Sequence, residues 1–435
     1  MKEKYTSASE DFEIVELGDK RLNKRLIKST EERMEGIKTR SSAKGFYRLL
    51  GNEKFKYEKI EKCCVEGTIE RIKGLEKVLL VQDTTDINLE GHKKTEGLGY
   101  SSAHAKGIQC HSCLAVSAEG ISLGILNQSY ETRLSKSELS AREKAKRPIE
   151  EKESYRWIES LKSSNELIPS GAEAITVCDR EGDIFEVYAE ACELGSSFVI
   201  RSGYNRKTET NDKLFEKIRK TPALGYATLE IPRDSRSNRK AHKAQMAVSS
   251  CSVSISKKKN SLTVNVVRIA EVSESNAPVE WILITNLPVD TSEAAMEIVQ
   301  YYVQRWKIER FHYVLKSGCK VEEIQQRSLE RILPVILICS MIANFILAMT
   351  YLGRVTPDIS CEAIFGEDEW KLLYRFAKRT KIPPETPYSL SEAIKMLGEL
   401  GLGKRAPSDG EYGVKAIWLG LKSFYSACDL LVGQV

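Results

Sequence analysis

The sequence predicts a mixed α/β (α+β) fold, with one sheet in the middle of the chain and helical regions on either side of it. Three observations predict this. Short apolar runs separated by turn residues occupy the middle of the 435 residues. Helical patterning dominates residues 1 to about 75 and again beyond about 325. The composition, 41% hydrophobic and 29% charged, is that of a globular chain with enough apolar material for a real core.

In chain order, the N-terminal region is polar and helical. At about 100° per residue, Lys20, Arg21, Lys24, Arg25 and Lys28 share one arc of roughly 140°, with Leu22 and Leu26 opposite. That face is cationic, and is either solvated or a contact for a polyanion. Strands follow at 78–81, ending in Gln82-Asp83-Thr84-Thr85, then at 108–116 and 120–126, three runs that read as a meander. A buried strand at 174–178 ends in Asp179-Arg180-Glu181-Gly182-Asp183, and a helix and a strand at 197–201 come next. Residues of about 205–288 carry the densest strand signals, with basic turns that either reach phosphates or keep the chain soluble. A helical stretch begins near Asp290, with Glu293 placed as a capping-box partner, and ends near Gly318 as one helix or two.

Composition excludes several classes. Eleven cysteines, an odd number and mostly set in apolar segments, read as reduced thiols of an intracellular protein. Cys110-His111-Ser112-Cys113 lacks the second ligand pair that zinc needs and reads as part of an apolar strand. The start, Met1-Lys2-Glu3-Lys4, has no signal-peptide core. Residues 332–352 are long and apolar enough to be scored as a membrane span, yet Pro334, Ser340, Asn344 and Thr350 interrupt them, so a buried helix in a cytoplasmic protein is expected and no membrane partner. A net charge of +5 announces no polyanion by itself.

The chemistry lies in three acids. Asp83 and Asp179 each follow an apolar run, and two carboxylates brought together at strand ends repel unless a cation lies between them. Tyr302, Arg305, Glu309 and Lys316 fall within an arc of roughly 60° on a continuous helix. An acid flanked by cations and a tyrosyl hydroxyl suits a site that holds metal with the acid and phosphate with the cations.

These residues resemble the Asp-Asp-Glu transposases of the insertion-sequence-four family, transposon-five type, whose Tyr-(2)-Arg-(3)-Glu-(6)-Lys signature Tyr302, Arg305, Glu309 and Lys316 match at every position. Val81-Gln82-Asp83-Thr84-Thr85 and the block from Val177 to Ile184 are similar to that family's two aspartate motifs, and Leu17-Gly18-Asp19 to its end-binding helix. The resemblance implies an RNase H-like core over 76–350 with a β-rich insertion at about 205–288. A DNA-end-binding domain over 1–75 and a helical, dimerising region over 351–435 complete it. It implies Asp83, Asp179 and Glu309 as ligands of two Mg²⁺ or Mn²⁺ ions, and Trp281 as a stacking partner for a flipped base. Arg201 and His312, with Lys20, Arg21, Lys24 and Arg25, are implied as contacts to transposon-end DNA. The implied activity is cut-and-paste transposition by a homodimer on double-stranded DNA bearing terminal inverted repeats, in the cytoplasm and on the nucleoid. The alternatives are an RNase H-like nuclease without transposition and a catalytically silent DNA-binding inhibitor.

Overall fold

The computed structural model describes residues 57–432 apart from 102–104, 134–142, 144–145, 232–238, 241, 258, 273–277 and 407–409. The candidate cationic helix with Lys20, Arg21, Lys24 and Arg25, and most of the proposed 1–75 domain, lie outside the described residues. Among those described, the chain opens with helix α1 (Tyr57–Ile72) and strands β1 (Lys77–Asn88), β2 (Gly107–Ser117) and β3 (Ser122–Glu131). Next come α2 (Tyr155–Asn165), β4 (Glu173–Cys178), α3 (Phe185–Glu193) and β5 (Ser197–Arg201). The strand-rich interval holds α4 (Leu214–Lys220), β6 (Gly225–Ile231), β7 (His242–Lys257), β8 (Asn260–Glu271) and β9 (Glu280–Thr285). Helices α5 (Ser292–Val303), α6 (Trp306–Tyr313), α7 (Leu329–Val355), α8 (Glu367–Lys378), α9 (Leu390–Leu402) and α10 (Val414–Val432) complete the chain.

The nine strands among the described residues form one sheet in the order β3-β2-β1-β4-β5-β9-β8-β7-β6. The expected meander is present, since β1, β2 and β3 pair antiparallel. β4 pairs parallel with β1, and β5 parallel with β4, which gives the 3-2-1-4-5 arrangement of an RNase H-like core. β9 then joins β5 antiparallel, so the strands of the 205–288 interval prolong the same sheet instead of forming a separate one.

Side-chain alternation sorts the apolar residues into two cores, one on each face of the sheet. Val199 and Leu283 face the layer containing α5, α6 and α7, while Phe198, Ile200, Ile282 and Ile284 face Trp157, Tyr188 and Leu214 of α2, α3 and α4. Helix α7 is long and apolar enough to cross a membrane, but it is mostly buried inside the fold. It packs on β3, α1 and α6 on one side and on α9 and α10 on the other, so its polar interruptions are core residues. Ser122 Oγ donates to Asn344 Oδ1 at 2.7 Å, and Thr350 Oγ1 donates to the carbonyl of Ile346 at 2.6 Å.

Two expectations are corrected, and the choice between one helix and two is decided. β1 continues seven residues past the apolar run at 78–81, because Gln82 to Ile87 find register partners along β2; Asp83 is therefore inside a strand. The helical stretch is broken, with α5 ending at Val303, α6 starting at Trp306, and a π turn at Val314–Gly318. Thr291, and not Asp290, caps α5: its side chain accepts from Ala294 N at 3.2 Å, and Glu293 is bonded to Ser292 Oγ, outside any capping box.

Candidate active site

Register brings the first two acids together. In the parallel pairing of β1 and β4, Val81 stands opposite Val177, and two residues further along each chain are Asp83 and Asp179, level with each other and on the same face. Asp83 is 8% exposed, and its Oδ1 accepts from Thr84 N at 2.8 Å. Asp179 caps a short 3₁₀ turn, its Oδ1 accepting from Glu181 N at 2.8 Å. That turn packs hard on β4: a Cβ on Gly182 would lie 2.5 Å from that of Cys178, so the block needs glycine there.

The third acid arrives through the helix break. Arg305 sits between α5 and α6, and its Nη1 lies 3.2 Å from Glu309 Oε1 and 3.8 Å from Asp83 Oδ2. One guanidinium nitrogen thus touches both carboxylates, which places Glu309 well inside a nanometre of Asp83. Glu309 itself is exposed, open to solvent at the rim. Electrostatics report the crowding. Burial, with Asp179 and Glu309 close by, pushes the Asp83 carboxyl up to about 7, and Arg305 and the Thr84 amide offset only part of this.

The implied DNA contacts divide into two groups. Trp281, Tyr302, Arg201 and Arg305 gather beside the acids. Trp281 on β9 meets the buried Tyr302 edge to face with ring centroids 5.3 Å apart, and the Arg305 guanidinium lies 5.9 Å from the Tyr302 centroid. Arg201 donates from Nη2 to the Glu280 carbonyl at 3.3 Å and helps to hold the Tyr302 hydroxyl, whose pKa burial raises. Trp281 is half-buried against the core, so it is partly a packing residue. His312 and Lys316 are placed differently. His312 is buried, and burial, with Lys316 and Arg305 near it, pushes its ring down to about 3, so it is a neutral interior imidazole and not a surface cation. Lys316 is half-buried on the π turn.

Residues outside the predicted site set support the site. His111 Nδ1 bonds Thr84 Oγ1 at 2.8 Å and its Nε2 bonds Gln82 Oε1 at 3.3 Å, bracing the strand on both sides of Asp83. Burial, with Arg156 and His312, pushes this imidazole too down to about 3. Cys110 and Cys113, three apart on one strand, point to opposite faces of β2, which is incompatible with a shared ion. Trp306, 48% exposed, has its ring centroid 5.1 Å from the Arg305 guanidinium; its place between Arg305 and Glu309 was the available signal.

Carboxylates at this end of a 3-2-1-4-5 sheet, one on β1, one just after β4 and one on a helix packed over them, define a protein of the RNase H-like class. The model of the transposase DDE domain matches residues 156–345, and that of the transposase Tn5 dimerisation domain matches residues 341–429. Both models describe transposase domains, and together they take in residues 156–429. Among solved structures, the piggyBac transposase synaptic complex with hairpin DNA aligns at 11% identity with a TM-score of 0.34, covering 68% of this chain. The chain spans 52% of that protein's length.

Among the described residues, no three His, Cys, Asp or Glu side chains are spaced to hold a metal ion as the chain stands. The donor chemistry nonetheless fits one. Three hard oxygen donors converge, and the raised carboxyl of Asp83 marks a centre with too little positive charge for its acids.

Proposed function

We propose that this chain cuts and joins DNA ends by phosphoryl transfer, with Asp83, Asp179 and Glu309 holding two divalent ions, Mg²⁺ or Mn²⁺. The observation that carries the reading is the convergence of the three acids on one crowded centre beside Arg305. When bound, such ions stabilise the attacking and leaving oxygens of an in-line displacement. The chain's own residues position the DNA. Arg305 and Lys316 supply cations for phosphate oxygens, Tyr302 offers a hydroxyl, and Trp281 and Arg201 line the side on which a displaced base would stack.

The reading extends to cut-and-paste transposition of an element with terminal inverted repeats, through a hairpin intermediate. Two copies joined through their C-terminal regions would hold two ends, an assembly supported by the match to a dimerisation domain. His312 enters as a support of the Glu309 helix instead of a direct contact, and Lys20, Arg21, Lys24 and Arg25 as end-binding cations. The site of action is the nucleoid, inside the cell.

The decisive experiment is nicking of a duplex with inverted-repeat ends in Mn²⁺, alongside gel-shift binding of the same duplex. Asp83→Ala, Asp179→Ala and Glu309→Ala should each lower nicking at least about a thousandfold and leave binding within about threefold. Undiminished cutting by any of the three removes that residue from the centre. Equal cutting of random duplex would replace transposition with the activity of a general nuclease on the same fold.

A further inference from the structure

Arg305 stands where the proposed reaction needs metal. Its Nη1 is shared between Glu309 at 3.2 Å and Asp83 at 3.8 Å, two acids that the reading above assigns as ligands. We propose that Arg305 is a displaceable internal counter-ion, which neutralises the acidic centre of the free protein and gives way to divalent cations, passing to a phosphate of bound DNA. This rests on the metal-centre reading and adds an order of events to it.

Three features make the guanidinium a placeholder and not a permanent partner. It is loosely bonded: a committed arginine grips a carboxylate with two short parallel bonds, whereas here one nitrogen serves two acids, the longer contact is an ion pair without a hydrogen bond, and the buried Nε has no partner at all. It is outnumbered, since Asp83, Asp179 and Glu309 share one arginine, and a doubly charged ion satisfies such a set better than a single charge does. It also has somewhere to go. Its ring neighbour Trp306 is 48% exposed, at 5.1 Å from the guanidinium, so an aromatic face leads from the acids to the surface. A guanidinium and a metal cation cannot occupy the gap together without repulsion. Arrival of the metal therefore frees Arg305 for phosphate, and metal and DNA binding become mutually reinforcing.

The test uses the full chain without DNA. Mn²⁺ is titrated by calorimetry, and melting is followed with and without Mn²⁺. Arg305→Gln should bind Mn²⁺ about tenfold more tightly than the parent and gain more melting temperature from it, because no internal cation has to be displaced. Arg305→Lys, which keeps the charge on a freer stem, should fall between the two and serves if the glutamine variant fails to fold. Equal or weaker Mn²⁺ binding by the folded variants overturns the counter-ion role. Failure of the parent to bind Mn²⁺ in a manner lost in Asp83→Asn overturns instead the metal centre on which it rests.

Discussion

Two buried aspartates, one inside β1 and the other in the turn after β4, have opposite surroundings. Asp183, 1% exposed, is saturated. It takes the hydroxyl of Tyr188, Ser202 Oγ at 3.3 Å, the backbone amides of Gly203 at 2.6 Å and Tyr204 at 3.0 Å, and the Arg206 guanidinium at 2.5 Å. Asp83 has one backbone amide, one distant arginine nitrogen and two other acids. The first aspartate is a clasp that ties the turn after β4 to the loop after β5. The second is a charge problem that the fold leaves unsolved. A buried acid supplied with donors serves stability, and one crowded by its own kind is available for chemistry.

The contrast breaks if both aspartates respond alike to neutralisation. Asp183→Ala should be the more damaging to folding, by about 3–5 kcal/mol, because it removes the partner of the Arg206 charge and of the buried Tyr188 hydroxyl. Urea unfolding measures this, and a loss under about 1 kcal/mol would demote the clasp to decoration.

Asp83→Asn should go the other way. The Asp83 carboxyl lies at about 7 in the folded chain, above its ordinary 3.8, so folding carries its full cost once both states are ionised above pH 7. That cost fades as pH falls from about 7 toward 4, where the folded state keeps the proton it favours. In the absence of metal at pH 8, the asparagine variant should therefore be the more stable by ~2 kcal/mol, with the difference shrinking at pH 5. Melting curves at the two pH values check it, and a variant destabilised at pH 8 would mean that the acid is better satisfied than its neighbours suggest.

The same contrast explains what the sequence could and could not disclose. Apolar runs and turn residues are local signals, so the meander, β4, β5 and the four added strands were legible, as was the burial of α7 from its polar interruptions. The acids were legible as types and spacings. Their surroundings were not, because satisfaction of a carboxylate depends on groups far off in the chain: Asp83 and Asp183 look alike in sequence, yet Arg206 serves only one of them. The helix break at Gln304-Arg305 was hidden for a related reason. Nothing at those positions breaks a helix by propensity, and the interruption follows from packing α5 along β5 and β9 while α6 turns to meet β1. His312, implied by the resemblance as a DNA contact, is interior, and its burial depends on the layers packed around α6.

Lys307 offers a third kind of burial, and the smallest expected effect. It lies on α6 two residues before Glu309, but turns away from the acids, its Nζ 3.1 Å from the Tyr351 ring centroid on α7. Burial, with Arg354 nearby, pushes its amine down to about 7. Here the folded state releases the proton first. The cost of holding the charge is complete below pH 7 and is relieved as pH rises toward the ordinary lysine value near 10.5. Lys307→Met keeps the stem's packing and removes the charge, but also removes the attraction to the ring, so the net gain should be only ~1 kcal/mol at pH 6.5. At pH 10 the gain should vanish or reverse, because the parent amine is by then neutral in the folded chain. Melting temperatures of the two proteins at pH 6.5 and 10 measure both signs. A variant less stable than the parent at pH 6.5 would show that the aromatic ring compensates the amine fully, which would place Lys307 with Asp183 among the satisfied groups and leave the acidic centre as the strained region of the catalytic layer.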